Sequence, residues 1–149
     1  MLVPEKIEIV DFKIIEGRID SPYDFDLSKV ERHNFDLKFD VTFNPSEKLA
    51  KSDFAVNVST GSEVKASGYF HVSFVFQIEN IDELVEIDEE NNISVNASLG
   101  NAIASITYST TRGILMTRFQ GTGLQHFILP VIDPNELLKN NSLKQSIEN

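Results

Sequence analysis

The sequence predicts an α+β fold, in which a four-stranded antiparallel sheet is followed by a long helix, an extended connection and a C-terminal helix. Three observations predict it: four segments before residue 80 alternate apolar and polar residues, no helical segment separates them, and an apolar pattern of helical period starts near Ile93. With 149 residues, 41% of them hydrophobic, the chain is expected to form a single domain. The expected segments are residues 1–80 for the sheet, 92–113 for the long helix, 114–132 for the connecting strap and 133–147 for the C-terminal helix.

The alternation is strictest in the second predicted strand, NFDLKFDVTFN. Its odd-numbered positions from Phe35 to Phe43 are all apolar and the residues between them are polar, so one face of this strand should face a core. The segments DFAVNVST and YFHVSFVFQIEN repeat the pattern. The first strand, KIEIVDFKIIE, changes phase between Ile9 and Val10, and a β-bulge there would reconcile its two halves.

The long helix is predicted from Ile93 to Arg112. Its core-facing residues recur at helical spacing; they are Val95, Leu99, Ala102, Ile103, Ile106 and Thr110. Asn92 or Ser94 could cap its N-terminus, and Gly113 is a suitable left-handed stop at its C-terminus. Arg112 would then lie in the last turn, where a cation stabilises the helix dipole.

The opposite side of this helix is small or aromatic and uncharged. Its residues are Ala97, Gly100, Asn101, Ala104 and Tyr108. No charged residue occurs between Ile93 and Thr111, although a solvent-facing helix usually carries charges. We therefore predict that this side is an oligomer interface, which Ala104→Glu would split by burying an unpaired charge. The alternative is that the C-terminal helix covers it within one chain.

The connection between the two helices is unusually apolar. Its apolar residues are Ile114, Leu115, Met116, Phe119, Leu124, Phe127, Ile128 and Leu129, whereas connections are usually polar and exposed. We expect it either to pack on the sheet edge or to line a groove for an apolar partner. The helix that follows is expected to start at D-P-N-E, with Asp133 as N-cap and Pro134 in the first helical position.

Charge and cysteine content exclude several classes of function. The net charge is −10 without a basic cluster, so nucleic acid is not an expected partner, whereas a cationic protein segment would be attracted. There is no cysteine, which excludes disulfides and thiolate chemistry. The segment MLVPEKIEIVDF carries acids where a signal peptide is basic, and no apolar run reaches the roughly 18 residues of a membrane span. We expect a cytoplasmic protein without membrane insertion.

No group of catalytic or metal-binding residues stands out. The histidines fall on three different elements; they are His33, His71 and His126. Ser105 and Ser109 therefore have no evident base beside them. Gly121 and Gly123 lack the lysine of a phosphate-binding loop, and the acidic run at residues 82–92 lacks the spacing and central glycine of a calcium loop. We expect no enzyme activity, no metal and no cofactor.

Three short motifs follow one another along the chain: K-I-E-I-V-D-F, A-I-A-S-I-T-Y-S-T-T-R-G and L-P-V-I-D-P-N-E-L-L. In this order they resemble motifs of the SecB-type export chaperones and their SecB-like relatives. K-I-E-I-V-D-F at residues 6–12 is similar to the family's first strand, and A-I-A-S-I-T-Y-S-T-T-R-G at residues 102–113 to the end of its long helix. L-P-V-I-D-P-N-E-L-L at residues 129–138 resembles the return into its last helix. The resemblance covers nearly the whole chain.

This resemblance implies an ATP-independent holdase that assembles as a tetramer, a dimer of dimers, and binds unfolded preproteins in apolar grooves. The positions that match the family's grooves and apolar connection are Phe12, Phe74, Phe76, Leu115, Met116, Phe119 and Leu124. For the strand phenylalanines, a plain core position is the alternative. The family delivers clients to the SecA motor of the translocase; Asp11 matches an acid of the first strand used there, and Gln77 stands where the family has a docking acid.

Two other functions remain open at this point. Some SecB-like relatives serve toxin–antitoxin pairs and hold an aggregation-prone antitoxin. A small acidic α+β protein could also be an oligomeric binding module for one folded partner, or a ligand-binding domain with a pocket between sheet and helix. A chaperone would bind many unfolded chains, whereas a module would bind one native partner.

Overall fold

The structure is a computed structural model that describes residues 1–61 and 63–139, and the backbone of residues 142–148. Its strands are β1 (Ile7–Asp20), β2 (Arg32–Asn44), β3 (Leu49–Thr60), β4 (Ser67–Ile78), β5 (Val85–Ile87), β6 (Ile93–Val95) and β7 (Ser142–Glu148). Its helices are α1 (Ala97–Arg118) and α2 (Pro134–Lys139). The predicted α+β class, with a four-stranded antiparallel sheet before a long helix and a short C-terminal helix, is confirmed.

The sheet has the strand order β1-β4-β3-β2-β7, with every neighbouring pair antiparallel. The strict alternation of β2 is reproduced in its burial, since Phe35, Leu37 and Phe39 are buried and the residues between them are more exposed. The predicted bulge is also confirmed, because the β1–β4 register shifts between Ile9 and Asp11. A second shift, between Ile14 and Glu16, was not predicted.

Helix α1 lies across the apolar face of the sheet and closes the core. Its buried residues include Leu99, Ile103 and Leu115, at the spacing of one helix face. A buried hydrogen bond of 2.7 Å joins the hydroxyls of Ser52 on β3 and Thr107 on α1. Because a buried hydroxyl without a partner is unfavourable, this pair fixes where the helix sits on the sheet.

Helix α1 begins and ends later than predicted. Its N-cap is Asn96, whose side-chain oxygen accepts the backbone N–H of Ser98 at 2.9 Å, so Asn92 and Ser94 were the wrong candidates. The reason is that Ile93–Val95 pairs with β5 as strand β6. Gly113 does not stop the helix, because the buried face continues through Leu115 and ends against Phe119, which is also buried.

The C-terminal helix starts as predicted and ends earlier. The side chain of Asp133 accepts the backbone N–H of Asn135 at 3.0 Å, which confirms the N-cap, but α2 ends at Lys139 rather than near residue 147. Residues 142–148 form β7 instead. Leu143 and Ile147 are four residues apart, a spacing that suits one side of a helix and also one face of a strand. The free edge of β2 decides between them, because its backbone groups need partners.

Among the described residues, no helix combines the length and the apolar character needed to cross a lipid bilayer.

Candidate functional site

The outer strand β1 exposes an unusual amount of apolar surface. Phe12 is 40% exposed and Ile15 is 52% exposed, and Ile9 and Val10 are exposed to a similar extent. Val10 and Ile15 lie at the two register shifts, where a bulge leaves one residue without a partner opposite it. An apolar outer strand is a template for pairing with another chain, and proteins usually protect such strands with charges or a covering segment.

A groove runs between β1 and the C-terminal half of α1. This β1–α1 groove is lined by Phe12, Ile14, Thr110, Gly113, Ile114, Thr117 and Arg118. The Phe12 ring rests on the core, with its centroid 4.9 Å from that of Phe74. The space in front of Gly113 is open, because a Cβ atom added there would meet no other atom within 4 Å. The groove is therefore apolar at β1 and uncharged along most of α1, and Arg118 is the one charged residue among the described residues that line it.

The side of α1 that points away from the core is uncharged for most of its length. We call this the outer side of α1; it comprises Ala102, Ser105, Ser109, Gly113 and Met116, which are exposed or half-buried. Met116 is 41% exposed and lies three residues beyond Gly113, which also lines the groove. The structure thus leaves one charge-free helix surface next to one apolar strand edge. Both are open to a partner.

The structure separates the predicted client-binding residues into two groups. Phe12 and Met116 are exposed, as a client contact requires. The other predicted contacts are fully buried; they are Phe74, Phe76, Leu115, Phe119 and Leu124. The strand phenylalanines face α1, so the core alternative describes them. Leu115 and Phe119 are buried because α1 continues past Gly113 and turns them toward the sheet. These five residues are corrected from client contacts to core.

The predicted oligomer interface is covered mostly by the chain itself. Gly100, Ala104 and Tyr108 are buried, Asn101 is half-buried, and only Ala97 among the five is exposed. A Cβ atom at Gly100 would lie 3.4 Å from Cδ1 of Leu138 on α2. The alternative considered from the sequence, that the C-terminal part of the same chain covers this side, describes the structure. Two uncharged sides of one helix look alike in sequence, and only packing distinguishes them.

Tyr108 and Arg112 tether the connection that follows α1. The Tyr108 hydroxyl donates a 2.6 Å hydrogen bond to the carbonyl of Pro130. Arg112 donates from Nε to the carbonyl of Leu129 at 2.8 Å and from Nη2 to that of Pro130 at 3.1 Å. Its guanidinium lies 5.1 Å from the centre of the Tyr108 ring. Burial raises the pKa of Tyr108 to about 12, although the neighbouring Arg112 charge acts in the opposite direction.

The sequence interpretation missed this tether. Arg112 was expected to stabilise the last turn of α1, but the helix continues to Arg118, so Arg112 lies more than a turn from its end. A tyrosine followed four residues later by an arginine is a pair on one helix side, and this spacing was the available signal. The tether holds Leu129 and Pro130 against α1 and leaves Ile128 and Val131 exposed.

The two predicted partner-docking residues lie on the open face of the sheet, away from α1. Asp11 is opposite Val75 on β4, and Gln77 is two residues further along β4, opposite Glu8. Both are exposed. The structure therefore brings Asp11 and Gln77 to the same end of one polar face. Asp11 also accepts the backbone N–H of its neighbour Phe12 at 3.0 Å.

The histidines do not come together. His33 is buried on β2, His71 is 2.9 Å from the Asp53 carboxylate on the open face of the sheet, and His126 is exposed after α1. Within the part of the chain that the structure describes, no group of three or more potential metal ligands is found.

The acidic run at residues 82–92 contains β5 and the turn that joins it to β6. Asp88 accepts backbone N–H bonds from Asn92 and Glu90, both at 2.8 Å, and these bonds with that of the Asn92 side chain lower the pKa of its carboxyl. Asp88 is thus occupied in shaping the turn.

Comparison with known proteins gives a match in three dimensions only. No protein-family model and no curated protein matches the sequence. A solved structure of the SecB-like chaperone Rv1957 of Mycobacterium tuberculosis matches 86% of this chain and 91% of its own, with a TM-score of 0.57. The fold is SecB-like. Sequence identity to that chaperone is 13%, so the likeness concerns the fold. The solved complex holds a ChAD peptide from the HigA1 antitoxin, Rv1956.

Proposed function

We propose that this protein is an ATP-independent holdase, which binds non-native polypeptides through the β1–α1 groove and the exposed residues of β1. The observation that carries the proposal is the apolar surface of an outer strand that no described segment covers. Burying the exposed half of one such side chain against a client contributes about 1 kcal/mol, and the open backbone edge adds hydrogen bonds. These interactions require little of the client beyond an extended, partly apolar segment.

The SecB-like fold supports the same proposal. A SecB-like chaperone of this architecture holds a peptide from an antitoxin, so the fold is suited to receiving a segment of another chain. The net charge of −10 keeps copies soluble despite the apolar strand and favours clients with cationic segments. The scattered histidines support a binding role without catalysis. No nucleic-acid partner is proposed.

We also propose that the protein assembles as a dimer of dimers in the cytoplasm. The buried Ala104 and Tyr108 do not serve this assembly, so we assign the contact to the part of the outer side of α1 from Ala102 to Ser109, which leaves Met116 to the client. Its small, uncharged residues allow a second helix to approach closely. Clients would be preproteins, handed to a translocase motor that docks near Asp11 and Gln77 on the open face of the sheet.

A second candidate is a chaperone for one antitoxin. The peptide in the matched complex favours it, because that peptide comes from an antitoxin. Gln77 also lacks the charge of the acid expected there for motor docking. The two candidates differ in breadth. A general holdase should delay aggregation of several unrelated unfolded proteins, whereas an antitoxin chaperone should act on one.

The test compares Phe12→Ser with Tyr23→Ser. Both remove an exposed aromatic side chain, but Phe12 lines the groove and Tyr23 lies in the β1–β2 connection away from it. The wild type and both variants are mixed, without ATP, with several chemically unfolded proteins, and aggregation is followed by light scattering. In parallel, the mass of each variant is measured by multi-angle light scattering.

We expect Phe12→Ser to lose most of the protection while Tyr23→Ser keeps it. If Phe12→Ser keeps full protection but its mass falls to that of a monomer, the β1 surface is a contact between copies and not a client site. If the wild type protects none of the unfolded proteins, the holdase proposal is wrong.

A further inference from the structure

The β2 edge of the sheet is occupied by the chain's own C-terminal strand. β7 pairs antiparallel with β2 from Arg32 to Lys38, opposite Glu148 to Ser142. The rest of β2, from Phe39 to Asn44, extends beyond the end of β7. About half of β2 is therefore paired with β7 of the same chain.

β7 is attached to the fold mainly through that one ladder. In the described chain, β2 is the element with which β7 has extensive contact, whereas β2 is also paired with β3 along nearly its whole length. A strand held by a single pairing opens more easily than a central strand, because little else must be broken when it leaves. β7 can therefore leave the edge while the other four strands stay together.

The composition of β7 also makes it replaceable. Within residues 142–148, only Leu143 and Ile147 are apolar. The register sets Gln145 opposite Phe35, a buried residue of β2, between the positions of the two apolar residues. Because cross-strand pairs on one face stabilise a sheet, a segment that is apolar at all three alternate positions would suit this edge better.

We propose that β7 is a displaceable strand, which covers the β2 edge until an extended client segment with apolar residues at alternate positions replaces it. The inference rests on the proposed function, since it requires a protein that holds extended clients. It adds a second binding site at the edge opposite β1. Strand addition binds through main-chain hydrogen bonds and so accepts many sequences. In the absence of client, β7 keeps the edge from pairing with another copy.

The test locks β7 to β2 with a reducible bond. Asp36 and Lys144 are opposite each other in the register. The Cα atoms of opposite residues in an antiparallel pair are roughly 4.5–5.5 Å apart, whether or not the two residues are hydrogen-bonded, and a disulfide can span this distance. The chain has no cysteine, so Asp36→Cys with Lys144→Cys forms one defined bond. The probe is fluorescent, reduced and carboxymethylated α-lactalbumin, which is permanently unfolded and has no free thiol.

We expect the oxidised variant to bind the probe more weakly than the same protein after reduction. Equal affinity in the two forms would overturn the inference, and so would failure of the disulfide to form, because β7 would then not lie on β2 in solution.

A second pair of variants releases β7. Gln145→Pro with Ser146→Pro removes an N–H on each side of the strand, so at least one ladder bond is lost, whereas Gln145→Thr with Ser146→Thr keeps both donors. We expect the proline variant to bind the probe roughly threefold to tenfold more tightly than the threonine variant. This range follows if β7 covers the edge in about two-thirds to nine-tenths of the molecules, because only the uncovered molecules can bind. Equal binding by both variants would contradict the inference.

The outcomes separate this inference from the proposed function. If the wild type binds the probe and neither locking nor releasing β7 changes its affinity, only the role of β7 is wrong. If no form binds the probe, both are wrong.

Discussion

The two sides of helix α1 have nearly the same composition, but one is buried within the chain and the other is not. The inner side, with Ala104 and Tyr108, is covered by the sheet, the tethered connection and α2. The outer side, with Ala102 and Met116, stays exposed or half-buried, and its C-terminal part adjoins the apolar strand β1. Absence of charge on a helix therefore indicates that something covers it, but not whether the cover belongs to the same chain.

The largest effect is expected from a charge placed on each side. Ala104→Glu buries a carboxylate without a partner and should lower the free energy of unfolding by about 3 kcal/mol or more. Ala102→Glu, half a turn away on the outer side, should change it by less than about 1 kcal/mol. Urea unfolding measures both. Similar losses for the two variants would mean that the outer side is also buried.

The outer variant also tests assembly. If the outer side of α1 is the contact between copies, Ala102→Glu should reduce the mass in solution while the fold stays intact. An unchanged mass would place the contact elsewhere.

The neighbours Leu115 and Met116 give a second matched pair. Leu115→Ala opens a cavity in the core and should cost about 2–5 kcal/mol of stability, whereas Met116→Ala should cost less than about 1 kcal/mol. For client holding we expect the reverse order, since Met116 is an exposed apolar side chain on the outer side of α1. A loss of holding in Met116→Ala without a loss of stability would sharpen the assignment of the outer side. If Met116→Ala holds clients as well as the wild type, Met116 is not a contact.

The tether of the connection should be visible in the pH dependence of stability. The pKa of Tyr108 is raised to about 12 in the folded state, so between the unfolded value of 10 and 12 the unfolded chain loses this proton first. The contribution of Tyr108 to the free energy of unfolding is therefore complete below pH 10 and falls as the pH rises toward 12. In Tyr108→Phe, the free energy of unfolding should not show this decrease between pH 10 and 12. At neutral pH it should be about 0.5–1.5 kcal/mol lower than in the wild type, because the hydrogen bond to Pro130 is missing.

The control for this variant is Tyr23→Phe. Tyr23 is fully exposed, and removal of its hydroxyl should leave the stability at neutral pH unchanged. A Tyr108→Phe protein as stable as this control, with the wild-type alkaline profile, would show that the bond to Pro130 contributes nothing.

The smallest effect is expected at Gly113. The helix continues through this residue, and a methyl group there meets no atom within 4 Å. Gly113→Ala should raise stability by about 0.5–1 kcal/mol, because glycine is the less favourable residue in a helix interior. Thermal unfolding measures it. A lower melting temperature would indicate that the helix ends at Gly113, as the sequence suggested.

The strands were the most predictable part of the molecule. Alternation with a period of two is a property of neighbouring residues, so Phe35, Leu37 and Phe39 could be assigned to the core face without knowledge of their partners. The helix ends were less predictable. Gly113 is a proper stop signal locally, but burial of Leu115 and Phe119 stabilises the helix beyond it by more than the glycine disfavours it.

The candidate site was predicted only in part, for the same reason. Phe12 and Phe74 are both phenylalanines on apolar strand faces, and they are in contact, yet one is 40% exposed and the other is buried. Their difference depends on how far α1 reaches across the sheet toward β1. Arg112 was visible as a cation near a helix end, whereas its partners, the carbonyls of Leu129 and Pro130, come from a segment that returns along α1.

The sequence by itself determined the class of fold, the sheet face that becomes the core, the bulge in β1 and the charge-free character of α1, because each depends on the spacing of nearby residues. Only the tertiary structure decided which side of α1 stays open, which phenylalanines reach the surface and that residues 142–148 join the sheet. These outcomes depend on which distant segments compete for the same surface, and the free energy of that competition is set by packing across the whole chain.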